Sequence, residues 1–391
     1  MNSIDVVILA GGKGTRIKKF VKKYPKPMIK FNNKHFLKYV LNLITKFNFR
    51  KIFIITRFKN KILFNQFHKK KINFIPVTCL KEKKEMGTGG ALNLIKKKTN
   101  DFLLLNGDTV FDINFKNLIK SLQKKFLGSM ALINNPDNNS NKLNKLNLKN
   151  SLVQLSNSGK FMNGGAYFFK KRFLNYIPRG KSSLENEILP KLIKQKKING
   201  RIFNDFFLDI GSKKNLKIAK KLLLKNFKRP AAFLDRDGVI NHDYGYVHKV
   251  SDFKFKEGVL KGLKYLIKKN YYIFIITNQA GIAKKKFSEE QFSNLHKYLK
   301  KNLSNKNIYF NDVQYSPFHI NAKIKRYRRN SQLRKPNNKM IKNIFKNWDI
   351  NKNKSFMIGD NKKDFLTAKK SNIKFFFAKK NFYYQIKKII N

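Results

Sequence analysis

Short apolar runs, several of which end in glycine or aspartate, recur along this chain and alternate with segments that have helical spacing of apolar residues. Such runs are typical of buried strands. We predict strands at residues 5–10, 51–56, 102–106, 164–169, 231–234, 272–276 and 355–358, and helices at residues 36–47, 216–227, 259–269 and 289–303. Residues 134–150, rich in Asn and Lys, are predicted to form a loop or a weak hairpin. The alternation predicts an α/β fold with helices on both faces of parallel sheets.

The length of 391 residues favours two or three domains. The basic helix at residues 216–227 leads to Pro230, and a second series of strands and helices begins directly after this proline. No internal repeat relates the two series. We therefore predict two α/β domains, at residues 1–228 and 229–391.

The chain is strongly basic, with 87 Lys+Arg, 22 Asp+Glu and a formal net charge of +65. One interpretation is a nucleic-acid-binding protein. The other is compositional drift, because Lys, Asn, Ile and Phe, which A/T-rich codons encode, are all abundant and the lysines are spread along the whole chain. No zinc-finger, RNP or helix-turn-helix pattern is present, so we prefer drift and expect no specific nucleic-acid partner. The positive field should still attract anionic substrates.

Composition also limits location and disulfide chemistry. The single cysteine, Cys79, excludes an intramolecular disulfide and a multi-cysteine zinc site. No stretch approaches the ~18–20 apolar residues of a membrane span, and the first residues lack the basic start of a signal peptide. We therefore expect a cytoplasmic protein without membrane association. The sequence indicates no particular oligomeric state.

A glycine-rich segment, Leu9-Ala-Gly-Gly-Lys-Gly-Thr-Arg16, follows the first predicted strand directly. Glycines allow backbone N–H groups to approach phosphates, and Arg16 and Lys26 can stabilise the charge of a triphosphate. Such a loop by itself is more often only a tight turn. Here Pro25-Lys-Pro-Met28, Gly87-Thr-Gly-Gly-Ala91, Asn106-Gly-Asp108 and Phe207-Leu-Asp-Ile-Gly211 follow in order. The combination favours a nucleotide-phosphate site.

These five elements resemble the sugar-1-phosphate nucleotidyltransferase family over residues 3–225. The resemblance implies a Rossmann-like domain with a mixed sheet, in which Arg16 and Lys26 are catalytic and Asp108 and Asp209 hold a Mg²⁺ that bridges the phosphates. It assigns contacts with the nucleotide or the sugar to Gly11, Gly12, Gly14, Thr15, Gly87, Gly89, Gly164 and Glu185. An alternative for Glu185 is a solvated acid in the first turn of a helix.

A second group of acids begins at Asp235-Arg-Asp237, directly after a predicted strand. Residues i and i+2 of a strand face the same way, so one carboxylate can attack phosphorus while the other protonates the leaving oxygen and later activates water. An Asp-x-Asp pair alone is more often structural. The prediction is strengthened by three further segments that follow in order, Thr277-Asn278, Arg334-Lys-Pro336 and Gly359-Asp-x-x-x-Asp364.

This set resembles the haloacid-dehalogenase phosphatase superfamily over residues 229–385, which implies a Rossmann-like domain with a parallel sheet. Asp235 would be the nucleophile and Asp237 the acid/base. The resemblance assigns phosphate binding to Thr277, Asn278, Arg334 and Lys335, and Mg²⁺ binding to Asp235, Asp237 and Asp360, with Asp364 a weaker candidate. The segments Asp235–Asn241, Tyr244–Val247 and Thr277–Gly281 resemble more narrowly the D-glycero-D-manno-heptose 1,7-bisphosphate 7-phosphatases, whose arginine for the distal phosphate Arg334 matches. Histidinol-phosphate phosphatases share much of this pattern.

The chain departs from that family in one loop. The family carries three cysteines and a histidine that bind zinc before its Arg-Lys-Pro segment, whereas here Ser316-Pro-Phe-His319 and Ser331-Gln-Leu333 stand in their place. His319 alone cannot form a tetrahedral site. We therefore expect no zinc, and a loop that is held in another way, for example by aromatic packing of Tyr315 and Phe318.

Together the two halves predict a bifunctional enzyme that uses NTP, sugar phosphates and Mg²⁺. The C-terminal domain would remove the 7-phosphate of a heptose bisphosphate, and the N-terminal domain would join heptose 1-phosphate to a nucleotide. The resemblance alone favours GTP, and the product would be GDP-D-glycero-α-D-manno-heptose, a precursor of surface polysaccharide such as lipopolysaccharide.

Two alternatives stay open. One is a hexose-1-phosphate nucleotidyltransferase that makes an ADP-, UDP- or dTDP-sugar, fused to a histidinol-phosphatase-like or general sugar phosphatase. The other is a basic nucleic-acid-binding protein with relic enzyme domains.

Overall fold

The computed structural model of the chain describes residues 3–12, 24–57, 61–134 and 145–391. They form two α/β units, and the main division along the chain falls between Lys220 and Lys221, while residues 32–34 and 44–48 group with the second unit. The boundary at residues 228 and 229 stays a prediction. No helix within these ranges is both long and apolar enough to cross a membrane.

The first unit contains all or most of thirteen described strands, half of β3, and all or most of six described helices. The strands are β1 Asp5–Leu9, β2 Lys30–Phe31, β3 Lys34–His35, β4 Ile52–Thr56, β5 Lys71–Ile72, β6 Ile75–Lys81, β7 Phe102–Asn106, β8 Thr109–Phe111, β9 Gly128–Asn134, β10 Leu146–Lys149, β11 Leu152–Leu155, β12 Phe161–Phe169, β13 Ile198–Ile202 and β14 Phe207–Asp209. The helices are α1 Phe36–Thr45, α2 Lys61–Phe67, α3 Gly87–Gly90, α4 Phe115–Ser121, α5 Leu189–Lys194 and α6 Lys213–Phe227.

The large sheet of this unit has ten strands in the order β10-β11-β13-β9-β12-β7-β1-β4-β6-β5. β1 lies parallel to β4 and β7, and β4 parallel to β6, whereas β12 is antiparallel to β7 and β9. The mixed sheet is therefore confirmed. Because β1, β4, β6 and β7 are parallel neighbours, the segments after their carboxyl ends meet at one edge.

Apolar side chains from both strands and helices form the main core of this unit. Val7, Phe53 and Leu104 on neighbouring strands pack in one cluster with Leu189 and Leu192 of α5. Residues 135–144 of the predicted loop or hairpin lie outside the described residues. The antiparallel pair that the structure has, β10 with β11, starts at Leu146 and continues beyond the predicted segment.

The second unit repeats the α/β order with five strands and six helices among its described residues. The strands are β15 Ala231–Leu234, β16 Tyr272–Asn278, β17 Asp312–Ser316, β18 Phe356–Gly359 and β19 Lys374–Phe377. The helices are α7 Val259–Lys268, α8 Ala280–Ala283, α9 Glu289–Asn305, α10 Lys339–Asn347, α11 Lys362–Lys369 and α12 Phe382–Ile390.

The sheet of the second unit has the order β17-β16-β15-β18-β19, and every neighbouring pair is parallel. This confirms the parallel-sheet prediction. The central strand β15 is fully buried, as its run Ala-Ala-Phe-Leu requires. Its carboxyl end lies between those of β16 and β18, so Asp235, Asn278 and Asp360 come from adjacent strand ends.

Candidate active sites

A cavity of about 600 Å³ lies at the edge where β1, β4, β6 and β7 end. Its lining residues include Gly11, Gly12, Lys26, Arg57, Glu82, Glu85, Gly87, Thr88, Asn106, Asp108, Glu185, Asn186 and Asp209. The sequence-predicted residues Gly14, Thr15 and Arg16 lie outside the described residues. The cavity therefore brings together most of the described residues that the motifs indicated.

Lys26 and the two predicted metal-binding acids lie together in this cavity. The short β8–β14 ribbon pairs Asp209 with Thr109, which brings Asp209 beside Asp108. Lys26 Nζ forms an ion pair with Asp108 and lies 3.8 Å from Asp209 Oδ1. The Gly211 N–H donates to Asp209 Oδ1 at 2.7 Å and orients that carboxylate. Two carboxylates that both lie beside the Lys26 ammonium are a suitable donor set for Mg²⁺.

Glu185 lies in a π-helical turn, Leu184–Ile188, and also lines the cavity. Thr88 Oγ1 donates to Glu185 Oε2 at 2.6 Å and accepts from the Leu184 N–H at 2.9 Å. Burial raises the pKa of Glu185. Gly87 holds the facing turn with a φ of +69°, and a Cβ at this residue would lie 2.3 Å from the Ser182 carbonyl oxygen. A substituted Gly87 would thus be strained and displace the Glu185 turn.

Gly89 and Gly164, which the resemblance placed beside the ligand, are not among the lining residues of the cavity. A Cβ on Gly89 would lie 2.4 Å from Ile188 Cδ1, and one on Gly164 would lie 2.5 Å from the Phe111 ring. Both glycines permit close packing beneath the surface. Their ligand contacts stay predictions.

Sequence reasoning missed Glu82, Arg57 and Glu85 in the first cavity. Glu82 follows β6, is 6% exposed, and accepts the Met86 N–H at 3.2 Å. Its other oxygen, Oε1, would lie 2.5 Å from a Cβ built on Gly11, so it abuts the glycine loop. Burial raises the pKa of Glu82. The scarcity of acids was an available signal, because Glu82 is one of only 22. The strand before it, β6, was not predicted, so its place at this edge was not foreseen.

A second cavity, of about 340 Å³, lies at the carboxyl ends of β15, β16 and β18. Its lining residues include the predicted Asp235, Asp237, Thr277, Asn278, Arg334, Lys335 and Asp360. Tyr246 and Gln279, which lie in the segments that carry the resemblance but had no role assigned, also line it, as do Asp243 and Lys363, which the sequence did not indicate. Gly238, with a φ of +77°, allows the turn after Asp237 to approach Asp360, since a Cβ there would lie 2.0 Å from Asp360 Oδ2.

Lys335 is the buried centre of this cavity and is 2% exposed. Its Nζ lies 2.7 Å from Asp235 Oδ2 and 2.6 Å from Asp364 Oδ1, and donates to the Ile276 carbonyl at 3.0 Å. Burial lowers the pKa of Lys335, but the two carboxylates outweigh burial and raise it above its ordinary value. Burial raises the pKa of Asp235 to about 8, and Lys335 opposes that rise.

Oxygens of Asp235, Asp360 and Asp364 lie within 4.8 Å of one another and could hold a divalent cation. Asp364 takes its place through a capping box with Asn361 at the start of α11. Oxygen donors in a partly buried cluster suit Mg²⁺. The Asp237 carboxylate is outside this cluster, so its metal role stays a prediction.

Asp237 is held by three side chains. Arg236, which is fully buried, donates from Nη2 to Asp237 Oδ1 and Oδ2, each at 2.9 Å. Asn241 Nδ2 donates to Oδ1 and Gln279 Nε2 to Oδ2, each at 3.0 Å. The carboxylate next to the candidate nucleophile is therefore fixed in orientation.

The loop that lacks the zinc-binding cysteines is held by aromatic and cationic groups. The Phe318 and Tyr327 rings lie 6.0 Å apart edge to face, and the Arg329 guanidinium lies 4.1 Å from the Phe318 centroid. Arg334 Nη1 donates to the Phe318 carbonyl at 3.2 Å. Tyr315 packs elsewhere, on Phe292 at 4.5 Å. The ring contacts of Phe318 hold the loop, and the hydrogen bond to its carbonyl connects the loop with Arg334.

Two separate parts of the chain match known protein families. Residues 5–226 match the family described as nucleotidyl transferase, and residues 232–386 match that described as polynucleotide kinase 3 phosphatase. The chain is 38% identical over 146 residues to the D-glycero-beta-D-manno-heptose-1,7-bisphosphate 7-phosphatase of Rhodopseudomonas palustris, covering 37% of this chain and 81% of that protein. Identity to the protein of the same name from Vibrio cholerae is 38% over 145 residues, covering 37% and 78%.

A solved structure, that of a putative glucose-1-phosphate thymidylyltransferase from Bacillus anthracis, is 18% identical and has a TM-score of 0.50, covering 56% of this chain and 94% of that one. This likeness concerns the fold alone.

Fold and sites define an α/β nucleotidyltransferase and an α/β phosphatase on one chain. The chain belongs to the nucleotidyl transferase family through residues 5–226, and through its C-terminal part to the heptose-bisphosphate phosphatases of the haloacid-dehalogenase superfamily.

Proposed function

We propose that the chain catalyses two consecutive steps in the synthesis of a nucleotide-activated heptose. It removes the 7-phosphate of D-glycero-D-manno-heptose 1,7-bisphosphate and then transfers a nucleotidyl group, GMP in preference, to heptose 1-phosphate with release of pyrophosphate. The observation that carries the proposal is the pairing of a Lys335–Asp235 phosphatase centre with a Lys26–Asp108–Asp209 centre on one chain. The relatives' names supply the heptose.

In the phosphatase step, Asp235 attacks the phosphorus of the 7-phosphate, the bond from phosphorus to the sugar oxygen breaks, and Asp237 gives its proton to that oxygen. Asp237 then takes a proton from water, which attacks the aspartyl phosphate and releases phosphate. Asp235 and Asp360 would hold a Mg²⁺ that neutralises phosphate charge. Lys335 keeps Asp235 oriented at 2.7 Å.

In the transfer step, a phosphate oxygen of heptose 1-phosphate attacks the α-phosphorus of the NTP, and the bond to the bridging oxygen breaks. No proton is moved, so positioning and charge stabilisation dominate. Asp108 and Asp209 would hold the Mg²⁺. The Lys26 ammonium would then leave these two carboxylates and contact the phosphates. Glu185, fixed by Thr88, can accept hydrogen bonds from sugar hydroxyls.

Glu82 supports guanine as the base. Asp108 follows β7, Gly11 follows β1 and Glu82 follows β6 along the same edge, so a nucleotide whose phosphates cross Gly11 brings its base toward Glu82. Guanine presents two adjacent donors, N1–H and the N2 amino group, which match the two oxygens of an ionised carboxylate. Adenine and uracil present a donor beside an acceptor, so one carboxylate oxygen would face a lone pair.

Exchange of Glu82 tests the base preference. In Glu82→Gln the amide offers one donor and one acceptor, so the ratio of kcat/KM for GTP over ATP, UTP and dTTP should fall about tenfold to a hundredfold. Glu85→Gln, three residues on at a carboxylate paired with Arg57 and Lys181, is the matched control. An unchanged ratio in Glu82→Gln would remove the support for guanine.

The whole function is tested on the purified chain with heptose 1,7-bisphosphate in its α and β forms and with each NTP, following phosphate and pyrophosphate separately. The relatives' names specify the β form, whereas the proposed product is α-linked. Comparing phosphate release from the two anomers therefore decides which one the phosphatase centre uses. Pyrophosphate release only with hexose 1-phosphates would replace the heptose proposal by a hexose-1-phosphate nucleotidyltransferase fused to a general sugar phosphatase.

A further inference from the structure

Arginine is distributed unevenly in this lysine-rich chain. Only twelve of the 87 Lys+Arg residues are arginine, and four of those twelve lie within residues 326–334. Elsewhere the planar guanidinium is used, since Arg50 donates to both oxygens of Asp5 and Arg236 to both oxygens of Asp237. Lysine cannot reproduce this paired geometry. Drift toward A/T-rich codons favours lysine, so it does not explain the cluster of arginines.

Most of the cluster lies in an exposed loop, residues 319–330, which we call the arginine loop. Between Asp312 and Asp349 the sequence has no acidic residue. The loop exposes five cations, and within the described part of the chain none of the five forms an ion pair with a carboxylate. The five are Lys323, Lys325, Arg326, Arg328 and Arg329. The loop therefore presents positive charge to an anionic partner.

Hydrogen bonds hold the arginine loop in one shape. The N–H groups of residues 323 and 324 donate to the Ala283 carbonyl at 3.0 and 3.2 Å. Arg328 Nε donates to the Ala322 carbonyl at 2.8 Å. Because the backbone is already ordered, little conformational entropy is lost when the loop binds a partner.

The aromatic rings of this region are not available for stacking on bases. The Arg326 guanidinium lies 4.7 Å from the Tyr327 centroid, and the Arg329 guanidinium lies 4.1 Å from the Phe318 centroid. Both rings are buried. Proteins that bind single-stranded nucleic acid combine positive charge with exposed aromatic faces. The arginine loop has the charge without those faces, which disfavours nucleic acid as its partner.

The loop exposes an aliphatic side chain instead. Ile320 is 61% exposed, more than any other large aliphatic side chain among the described residues. A bridge between His319 and Arg328 brings Ile320 beside the arginine segment. A single exposed isoleucine is ordinary. An exposed isoleucine surrounded by cations is suited to the boundary between lipid head groups and acyl chains.

We propose that the arginine loop docks on the surface of an anionic lipid bilayer. Ile320 enters the head-group region, and the guanidinium groups of Arg326 and Arg328 bind lipid phosphates. The contact is peripheral. The expectation of no membrane association rested on the lack of a spanning segment, which does not bear on such a contact. This inference does not depend on either proposed activity.

Sedimentation of the full chain with vesicles at physiological salt tests the electrostatic part. Phosphatidylcholine with one-third phosphatidylglycerol should bind the chain far better than phosphatidylcholine alone. A basic residue next to an anionic bilayer contributes about fivefold to binding, so Arg326→Gln with Arg328→Gln should weaken binding about twentyfold. Arg326→Lys with Arg328→Lys should keep most of the binding because it keeps the charge. Lys261→Gln with Lys264→Gln, at two exposed lysines of α7, is the matched control.

Ile320→Ser tests the apolar part. Salt does not screen an apolar contact, so this variant should lose the binding that persists at raised salt, whereas Ile218→Ser, at an exposed isoleucine of α6, should keep it. The thermal midpoint of each variant reports whether its fold is retained.

Three results would overturn the inference. The first is no preference of the full chain for the anionic vesicles. The second is a loss in the control pair, in the lysine pair or in Ile218→Ser that equals the loss in the corresponding test variant. The third is binding of a single-stranded oligonucleotide that depends on Arg326 and Arg328 while vesicles are not bound.

Discussion

Replacing Lys335 with methionine removes a buried ammonium group but keeps an unbranched side chain of similar length. The structure places that ammonium 2.7 Å from Asp235 and 2.6 Å from Asp364, both buried. Removal of one partner from a buried ion pair costs about 3–5 kcal/mol, because the remaining charge is uncompensated. We expect the free energy of unfolding of the C-terminal unit to fall by about this amount at pH 8 without Mg²⁺.

The loss should depend on pH. The pKa of Asp235 is raised from 3.8 to about 8, with burial as the main cause and Lys335 acting against it. A carboxyl whose folded-state pKa is raised contributes stability while it is protonated, and this contribution is lost as pH rises from its ordinary pKa to the folded one. Without Lys335 that pKa rises further. The deficit of Lys335→Met should therefore be smaller at pH 5 than at pH 8, and Mg²⁺ should reduce it at pH 8.

Urea unfolding can be followed through Trp348, the single tryptophan of the chain, which is buried against Tyr272 in the C-terminal unit. Lys342→Met, at an exposed lysine, is the control. The double variant Lys335→Met with Asp364→Asn should regain part of the loss, because it leaves one buried carboxylate instead of two. A loss below about 1 kcal/mol that is equal at both pH values would refute the reasoning, since a buried pair is expected to cost several times more.

Three further predictions concern the two sites. Asp235→Asn should abolish phosphate release and keep pyrophosphate release from heptose 1-phosphate, and Asp108→Asn should do the reverse; loss of both activities in either folded variant would contradict two separate sites. Zinc should be dispensable, so metal analysis should find no stoichiometric zinc, whereas Tyr327→Ala, which removes the ring beside Phe318, should lower the thermal midpoint. Because burial raises the pKa of Glu82, the preference for GTP over ATP should decline as pH falls, starting above the pH expected for an ordinary carboxyl, and Glu82→Gln should show no such dependence.

The sequence allowed the architecture to be predicted because the signals were local. Apolar runs such as 231–234 and 272–276 match β15 and β16, and parallel sheets place their ends at one edge, so Asp235, Thr277 and Asn278 were expected to meet. Strands with weaker patterns were missed. β17, Asp-Val-Gln-Tyr-Ser, and β19, Lys-Phe-Phe-Phe, are partly exposed edge strands whose place is set by their neighbours.

The residues that could not be predicted act through contacts that exist only in the folded chain. Arg236 is the variable residue of the Asp-x-Asp motif. It is nevertheless buried and donates hydrogen bonds to Asp237 and to the Val247 carbonyl, so it is part of the site. Gln279 follows the Thr277-Asn278 pair and reaches back to Asp237. Residue type did not indicate that either side chain would be buried in the site, because arginine and glutamine are usually exposed.

Acidic residues are distributed very unevenly in this basic chain. Five line the first cavity, Glu82, Glu85, Asp108, Glu185 and Asp209, and four line the second, Asp235, Asp237, Asp243 and Asp360, which makes nine of 22. Such cavities would repel polyphosphates unless cations offset the carboxylates, so substrate entry should require a divalent metal as well as the lysines and arginines present. Drift toward lysine can replace an acid on an exposed face at little cost. Under the proposed mechanism it cannot do so at the carboxylates that would bind a cation, attack phosphorus or accept two donors of a base.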